Sequence, residues 1–213
     1  MGTVKSLLLG MCFVLGACTS QTSTVQTTEK GTQWEWQNGT IVVKTPERPA
    51  GQKSVLGLTT PKLEAVRVGF VGLGMRGPGA VERFTYIPGT QVVALCDYEE
   101  ARADKCQELL KKASMPKAAV YSGDKGYEEL CKRDDIDLVY IAADWLHHFP
   151  VAKCALENGK NVAIEVPSAM NLQECWDLIN LSESTRKHCF ILENCCYCLL
   201  YTSPSPRDIS GSR

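Results

Sequence analysis

The strongest constraint on the fold is the run Val66-Arg-Val-Gly-Phe-Val-Gly-Leu-Gly-Met-Arg-Gly77, in which an apolar strand breaks directly into Gly72, Gly74 and Gly77. Glycines at that spacing let the chain turn tightly, let backbone N–H groups approach a pyrophosphate, and let the next helix pack close to the strand. A helix N-terminus is itself a favourable place for an anion. A second apolar run, Gln91-Val-Val-Ala-Leu-Cys96, ends at Asp97, twenty residues past Gly77. In a dinucleotide-binding βαβ unit, that is where a carboxylate receives the ribose diol. A glycine turn alone would suit many α/β domains; strand, glycines, helix and acidic strand end together select the dinucleotide reading. Asp97 also favours NAD, because it would repel the extra phosphate of NADP. Arg102, one helical turn on, could soften that preference.

From residue 66 onward, strand and helix patterns alternate. Residues 99–113 read as a helix with Cys106, Leu109, Leu110 and Ala113 on one face, 119–121 as a short strand and 124–133 as a short helix. The continuous apolar run of residues 137–143 reads as a central parallel strand covered on both faces. A helix over 149–158, stopped by Gly159, and a strand over 161–166, ended by Pro167, come next. Residues 171–187 then read as a helix burying Leu172, Cys175, Trp176 and Ile179, and 189–193 as the last strand. The expectation is an α/β protein with a Rossmann-type, doubly wound parallel sheet, whose ligands bind beyond the carboxyl ends of the strands.

Those carboxyl ends carry the glycine turn, Asp97, Asp144-Trp-Leu-His-His148, Glu165-Val-Pro167 and Glu193-Asn194. Polar and aromatic residues therefore gather on one rim. His147 and His148 could simply begin a helix and Glu165 could cap a strand, but their position favours a binding role over any polar residue elsewhere.

The amino terminus reads differently. Lys5 precedes an apolar stretch from Leu7 to Ala17, the length of a secretory h-region and too short to span a bilayer as a helix. Leu15-Gly-Ala-Cys18 closes it, small residues before a cysteine that resemble the lipobox of bacterial lipoproteins. A Thr/Ser/Gln-rich run, 19–28, suits a tether. Residues 1–18 are thus expected to be a lipoprotein signal with Cys18 as lipid anchor, and 19–65 a tether and N-terminal extension. The expected location is an exported bacterial lipoprotein of the outer membrane or periplasm. Across 213 residues the net charge is −1, which gives no electrostatic support for binding nucleic acid.

Eleven cysteines invite a metal or disulfide argument. Cys96, Cys106, Cys131, Cys154 and Cys175 fall on apolar faces or a strand end and read as small buried hydrophobes. Cys195-Cys196-Tyr-Cys198 lacks the paired spacing of a zinc site, so no metal is expected, and an oxidising compartment would permit one disulfide.

The ordered series Val-Gly-Leu-Gly-Met-Arg-Gly, Ala-Ala-Asp-Trp-Leu-His-His, Ala-Ile-Glu-Val-Pro and Leu-Glu-Asn-Cys-Cys-Tyr resembles glycoside hydrolase family 109. That family is the NAD-dependent α-N-acetylgalactosaminidase-like branch of the Gfo/Idh/MocA oxidoreductases. The resemblance runs from about Thr32 to Tyr197. It implies that Met75 and Arg76 sit at the pyrophosphate turn, that Asp97 takes the adenosine ribose, and that Trp145, Leu146, His147, His148, Glu165, Val166 and Asn194 approach the nicotinamide half. The implied chemistry is oxidation of the sugar at C3 by tightly held NAD, elimination of the aglycone, addition of water and return of the hydride. The implied partner is an N-acetylgalactosaminide-like glycoside; a homo-oligomer stays open.

Two departures stand out. Sugar dehydrogenases of the superfamily usually carry Glu-Lys-Pro where this chain has Glu165-Val166-Pro167, and Val166 cannot assist proton removal. After Tyr197 the family continues into a sheet domain that holds the sugar and the acid/base residues. Here residues 198–213 have no helical or strand period and resemble translated adapter sequence. The expectation is an N-terminal fragment: residues 66–197 form the NAD-binding domain, the second α+β domain is missing, and the catalytic residues are unknown. A sugar dehydrogenase and a non-catalytic NAD-binding protein remain the alternatives.

Overall fold

The computed structural model describes residues 26–27, 33–44 and 48–193. The chain divides into two units, residues 1–44 and 45–213. In the first, β1 (Gln26–Thr27), β2 (Gln33–Gln37) and β3 (Thr40–Val43) form an antiparallel three-stranded sheet. Asn38 and Gly39, both at positive φ, turn β2 into β3, the Asn-Gly hairpin geometry that matches strand twist. This sheet lies inside the stretch read as tether and extension. The Thr/Ser/Gln composition around β1 hid it, because a two-residue strand has no period of its own.

The second unit carries the alternation: β4 (Val66–Val71), α1 (Gly77–Thr85), β5 (Thr90–Asp97), α2 (Glu100–Lys112), β6 (Ala119–Ser122), α3 (Gly126–Cys131), β7 (Leu138–Ile141), α4 (Trp145–Glu157), β8 (Asn161–Ile164), α5 (Leu172–Thr185) and β9 (Cys189–Ile191). The six strands are ordered β6-β5-β4-β7-β8-β9, and every pairing is parallel. The order runs outward from β4 in both directions, so a crevice opens where the two halves diverge, beyond the carboxyl ends of β4 and β7.

Both faces of the sheet are covered. Val68, Phe70 and Leu95 pack with Ala80 and Val81 of α1 and Ala103, Cys106 and Leu110 of α2. Val139, Ile141 and Ile164 pack on the other face with Leu130 of α3, Val151 and Ala155 of α4 and Leu178 of α5. This is why residues 137–143 read as continuously apolar. At the opposite end of the sheet Arg67 clamps Asp137, Nε to Oδ2 at 2.9 Å and Nη2 to Oδ1 at 2.7 Å. That clamp holds the Asp137 carboxyl below its ordinary value.

Two helices depart from the sequence reading. α4 begins at Trp145, four residues before the expected start, because the Asp144 side chain caps it by accepting from the Leu146 N–H at 3.0 Å. Pro150 therefore falls inside the helix. In α5 the buried side chains are Leu178, Ser182 and Glu183, whereas Leu172, Cys175 and Ile179 are exposed and Trp176 is half-buried. The cause is the segment of residues 48–54 laid along α5. Arg48 pairs with Glu183, Gln52 donates to Asn180 at 3.0 Å and to Glu183 at 2.8 Å, and Arg186 donates to the carbonyls of Lys53 and Ser54. A buried carboxylate is tolerable when so paired. Periodicity counts apolar residues and could not anticipate a polar face buried by a distant loop.

Cys96, Cys106, Cys131, Cys154, Cys175 and Cys189 are all free thiols. Among the described residues no helix is long and apolar enough to cross a membrane. Cys18 and Asn194 lie outside the described residues.

Candidate functional site

The glycine turn is built into the sheet. Gly72 has φ +92°, and a Cβ there would lie 2.3 Å from the Ala143 nitrogen and 2.5 Å from the Ala142 oxygen. A Cβ at Gly77 would lie 2.2 Å from the Gly72 oxygen. Only glycine fits either place, and the result is a turn pressed against the end of β7 with α1 starting directly behind it. Gly74 differs: its nearest neighbour would be the Arg102 Nη1 at 3.7 Å, so a Cβ there has room until a ligand enters. α1 starts at Gly77 with no side-chain cap and no acidic residue in its first turn. Its first amides are available to an anion.

Asp97 ends β5 and is 6% exposed. Its Oδ2 accepts from the Leu73 N–H at 2.6 Å, and its Oδ1 accepts from the Glu99 N–H at 3.0 Å and from Arg102 at 3.3 Å. The carboxylate expected to receive a ribose thus also braces the glycine turn, and Arg102, shared with Glu99 at 2.9 Å, stands beside it. The neighbouring Cys96 is no nucleophile, because burial and the charge of Asp97 push its thiol up to about 12.

On the other side of β4 the rim is formed by the start of α4 and the end of β8. His147 Nδ1 lies 2.6 Å from Asp144 Oδ2. Burial pushes the Asp144 carboxyl up, but the His147 ring and the first amides of α4 outweigh it and hold its pKa below the ordinary value. His148 is 1% exposed, with Nδ1 2.6 Å from the Pro167 oxygen and Nε2 2.9 Å from the Ala143 oxygen. A neutral imidazole can donate to only one of these carbonyls. His148 therefore acts first as a strut joining the exit of β7 to the turn after β8. Glu165 is nearly buried and accepts at Oε1 from the Tyr140 phenol at 2.8 Å.

These features share one cleft of about 850 Å³, lined by Gly72, Gly74, Met75, Arg76, Asp97, Trp145, His147, His148, Glu165 and Val166 together with Tyr98, Gly123, Asp124 and Glu193. Its size is that of a cofactor site. Of the residues expected there, Gly77 sits beneath the turn, Leu146 is exposed and does not line the cleft, and Asn194 is outside the described residues. The sequence reading missed Tyr98, Gly123 and Asp124, which arrive with the ends of β5 and β6, and Tyr140, which stands behind Glu165. A tyrosine in an otherwise aliphatic strand was the available signal, since a buried phenol needs a partner. Among the described residues no group of three or more His, Cys, Asp or Glu side chains could hold a metal ion.

The site fits a dinucleotide on its own geometry: an uncapped helix start for the pyrophosphate, a carboxylate at the end of β5, and open space over Gly74. Comparisons agree with that. Residues 66–192 match the family model of the Gfo/Idh/MocA oxidoreductases, described as an oxidoreductase family with an NAD-binding Rossmann fold. "Glycosyl hydrolase family 109 protein 4" of Phocaeicola vulgatus is 80% identical over 198 residues, which is 92% of this chain and 38% of that protein. "Glycosyl hydrolase family 109 protein 1" of Bacteroides thetaiotaomicron is 57% identical over 195 residues, 91% of this chain and 40% of that protein. The chain thus spans about two fifths of the length of these curated relatives. Among solved structures, a biliverdin reductase from Synechocystis sp. PCC 6803, in complex with biliverdin and NADP+, superposes with a TM-score of 0.52 at 27% identity, over 63% of this chain and 39% of its own. Sheet order, glycine turn and sequence match agree: the chain belongs to the Gfo/Idh/MocA oxidoreductase family, with its NAD-binding Rossmann fold.

Proposed function

We propose that this chain is the cofactor-binding part of an NAD-dependent glycosidase of the family 109 type. The observation that carries the cofactor assignment is Asp97, a buried carboxylate that both braces the glycine turn and opens on the cleft. The sugar chemistry is supported by the 80% identity to a family 109 protein. Bound NAD would supply reversible hydride uptake at the sugar's C3, so that elimination, water addition and hydride return close the cycle without net redox change. The residues of this chain bind and orient. The amides of residues 74–77 at the start of α1 hold the pyrophosphate, Asp97 accepts from the adenosine ribose, and Trp145, His148, Glu165 and Val166 border the nicotinamide. Val166 offers no proton-accepting group beside the reacting carbon. We place the acid and base groups, and the surface that holds an N-acetylgalactosaminide-like substrate, in the part of the relatives beyond the matched residues.

NAD is expected to bind more tightly than NADP, because the extra phosphate would meet the Asp97 carboxylate. Asp97→Ala should weaken NAD by about tenfold or more, since a buried hydrogen bond to a charged acceptor is worth about 1.5–3 kcal/mol. NADP should weaken less. Equal affinity of the unaltered chain for the two, measured by titration calorimetry, would refute the assignment.

We further propose that Cys18 is a lipid anchor on an exported protein, on the strength of the h-region and small residues that precede it. Cys18→Ala should move the protein from the membrane to the soluble fraction of a bacterial host. Unchanged fractionation, with Met1 found intact by mass spectrometry, would sink this reading.

A further inference from the structure

Tyr140 is the only aromatic residue of β7 and is 5% exposed. Its ring stacks on Phe70, with centroids 5.1 Å apart, and meets the edge of Phe84 of α1 at 5.7 Å. The hydroxyl leaves this apolar cluster and donates to Glu165 Oε1. Tyr140 pairs in register with Ala163 of β8, and Glu165 lies two residues further along, on the same face and beyond the strand's end. Among the described residues the phenol is the only side chain hydrogen-bonded to the Glu165 carboxylate. Burial and the Glu165 carboxylate push the phenol up to about 12, against the charge of Arg83 of α1, whose guanidinium runs back along the bare face at Gly79. Tyr140 and Glu165 therefore join the aromatic cluster beneath α1 to the rim of the cleft.

We propose that Tyr140 is a positioning residue: its phenol, held in the cluster with Phe70 and Phe84, fixes the Glu165 carboxylate so that its negative charge favours the oxidised, cationic nicotinamide over the reduced, neutral one. This rests on the reading that NAD occupies the cleft with its nicotinamide beside Glu165. The physical grounds are two. Donation to one carboxylate oxygen fixes the carboxylate plane. A charge held close to the cleft wall at low dielectric also acts more strongly on a cation than one that swings into water.

The test is the ratio of the dissociation constants of NADH and NAD+, measured on the 213-residue chain by calorimetry or by quenching of its tryptophans. Glu165→Gln should lower that ratio by about tenfold. Tyr140→Phe keeps the ring in its cluster and should lower the ratio by about threefold to tenfold, with no further fall in the double variant. A purely structural role would weaken both nucleotides alike and leave the ratio where it was. Should Tyr140→Phe fail to melt cooperatively, Glu165→Asp carries the test, because it keeps the charge and withdraws the carboxylate from the phenol. A fall in the ratio with Glu165→Asp supports the positioning role, whereas a ratio equal to that of the unaltered chain overturns it, since charge alone would then suffice. An unchanged ratio in Tyr140→Phe beside a changed one in Glu165→Gln overturns the role of Tyr140 and leaves the cofactor reading intact. Binding of neither nucleotide to the unaltered chain overturns both.

Discussion

Replacing Gly72 by alanine is expected to cost on the order of 4 kcal/mol of stability, a large share of what a domain of this size possesses. Two terms add. A non-glycine residue at φ +92° is strained, and a Cβ 2.3–2.5 Å from the backbone of Ala142 and Ala143 forces apart the contact that joins the turn to β7. Neither neighbour can step aside, because both are main chain between the end of β7 and the cap of α4. Gly74→Ala supplies the contrast. Its Cβ has room in the protein, so the melting temperature should hold while affinity for NAD falls, the methyl now occupying the path of the pyrophosphate. Thermal melts and nucleotide titrations on the two variants separate a glycine required by the fold from one required by the ligand. Equal melting temperatures for Gly72→Ala and the unaltered protein would refute the steric account.

The 213 residues alone are expected to show no turnover of an aryl α-N-acetylgalactosaminide, even where they bind NAD. Catalysis of this kind requires the sugar within near-attack distance of the nicotinamide, and well-oriented positioning contributes on the order of 7–11 kcal/mol of barrier lowering. Every group on this cleft that we assign a role acts on the cofactor. His148 is occupied by two carbonyls, Glu165 by Tyr140, and Val166 carries no titratable group. Release of the aryl group by the purified chain would overturn this division of labour. Activity that appears only when the sequence is joined to the remaining length of a family 109 relative, with no net NADH formed, would support it and separate the glycosidase from a sugar dehydrogenase.

Most of the second unit was legible because each of its elements carries a local signal. Residues 66–71 and 138–141 read as covered strands from their apolar runs, and Gly159 marks the end of α4. The crevice was legible for the same reason: the strand ends carry the polar residues, and alternation brings those ends to one rim. What was not legible depends on contacts distant in sequence. The face of α5 is chosen by Arg48 and Gln52, more than 120 residues upstream, through hydrogen bonds to Asn180 and Glu183. The start of α4 at Trp145 depends on the Asp144 cap, which placing the helix start at Phe149 left out of account. The double engagement of Asp97 was hidden because the Leu73 amide is a backbone donor and leaves no mark in a sequence. The hold of Tyr140 on Glu165 joins neighbouring strands across 25 residues of chain, so residue spacing carries no trace of it.

The place of β4 in the sheet has a consequence for how the molecule assembles. Val68 pairs with Val92 on one side and with Leu138 on the other, neighbours that arrive 24 and 70 residues later in the chain. The second pairing closes a long loop, and such non-local contacts slow folding. Gly72 finds its seat only when Ala142 and Ala143 follow β7 into place. Until then the β4–α1–β5 unit presents an open strand edge and an unfinished nucleotide loop. The loop and the sheet are completed in one event, so a dinucleotide has nothing to grip earlier on the folding path. Its stabilisation is then felt in the rate at which the molecule comes apart rather than the rate at which it forms.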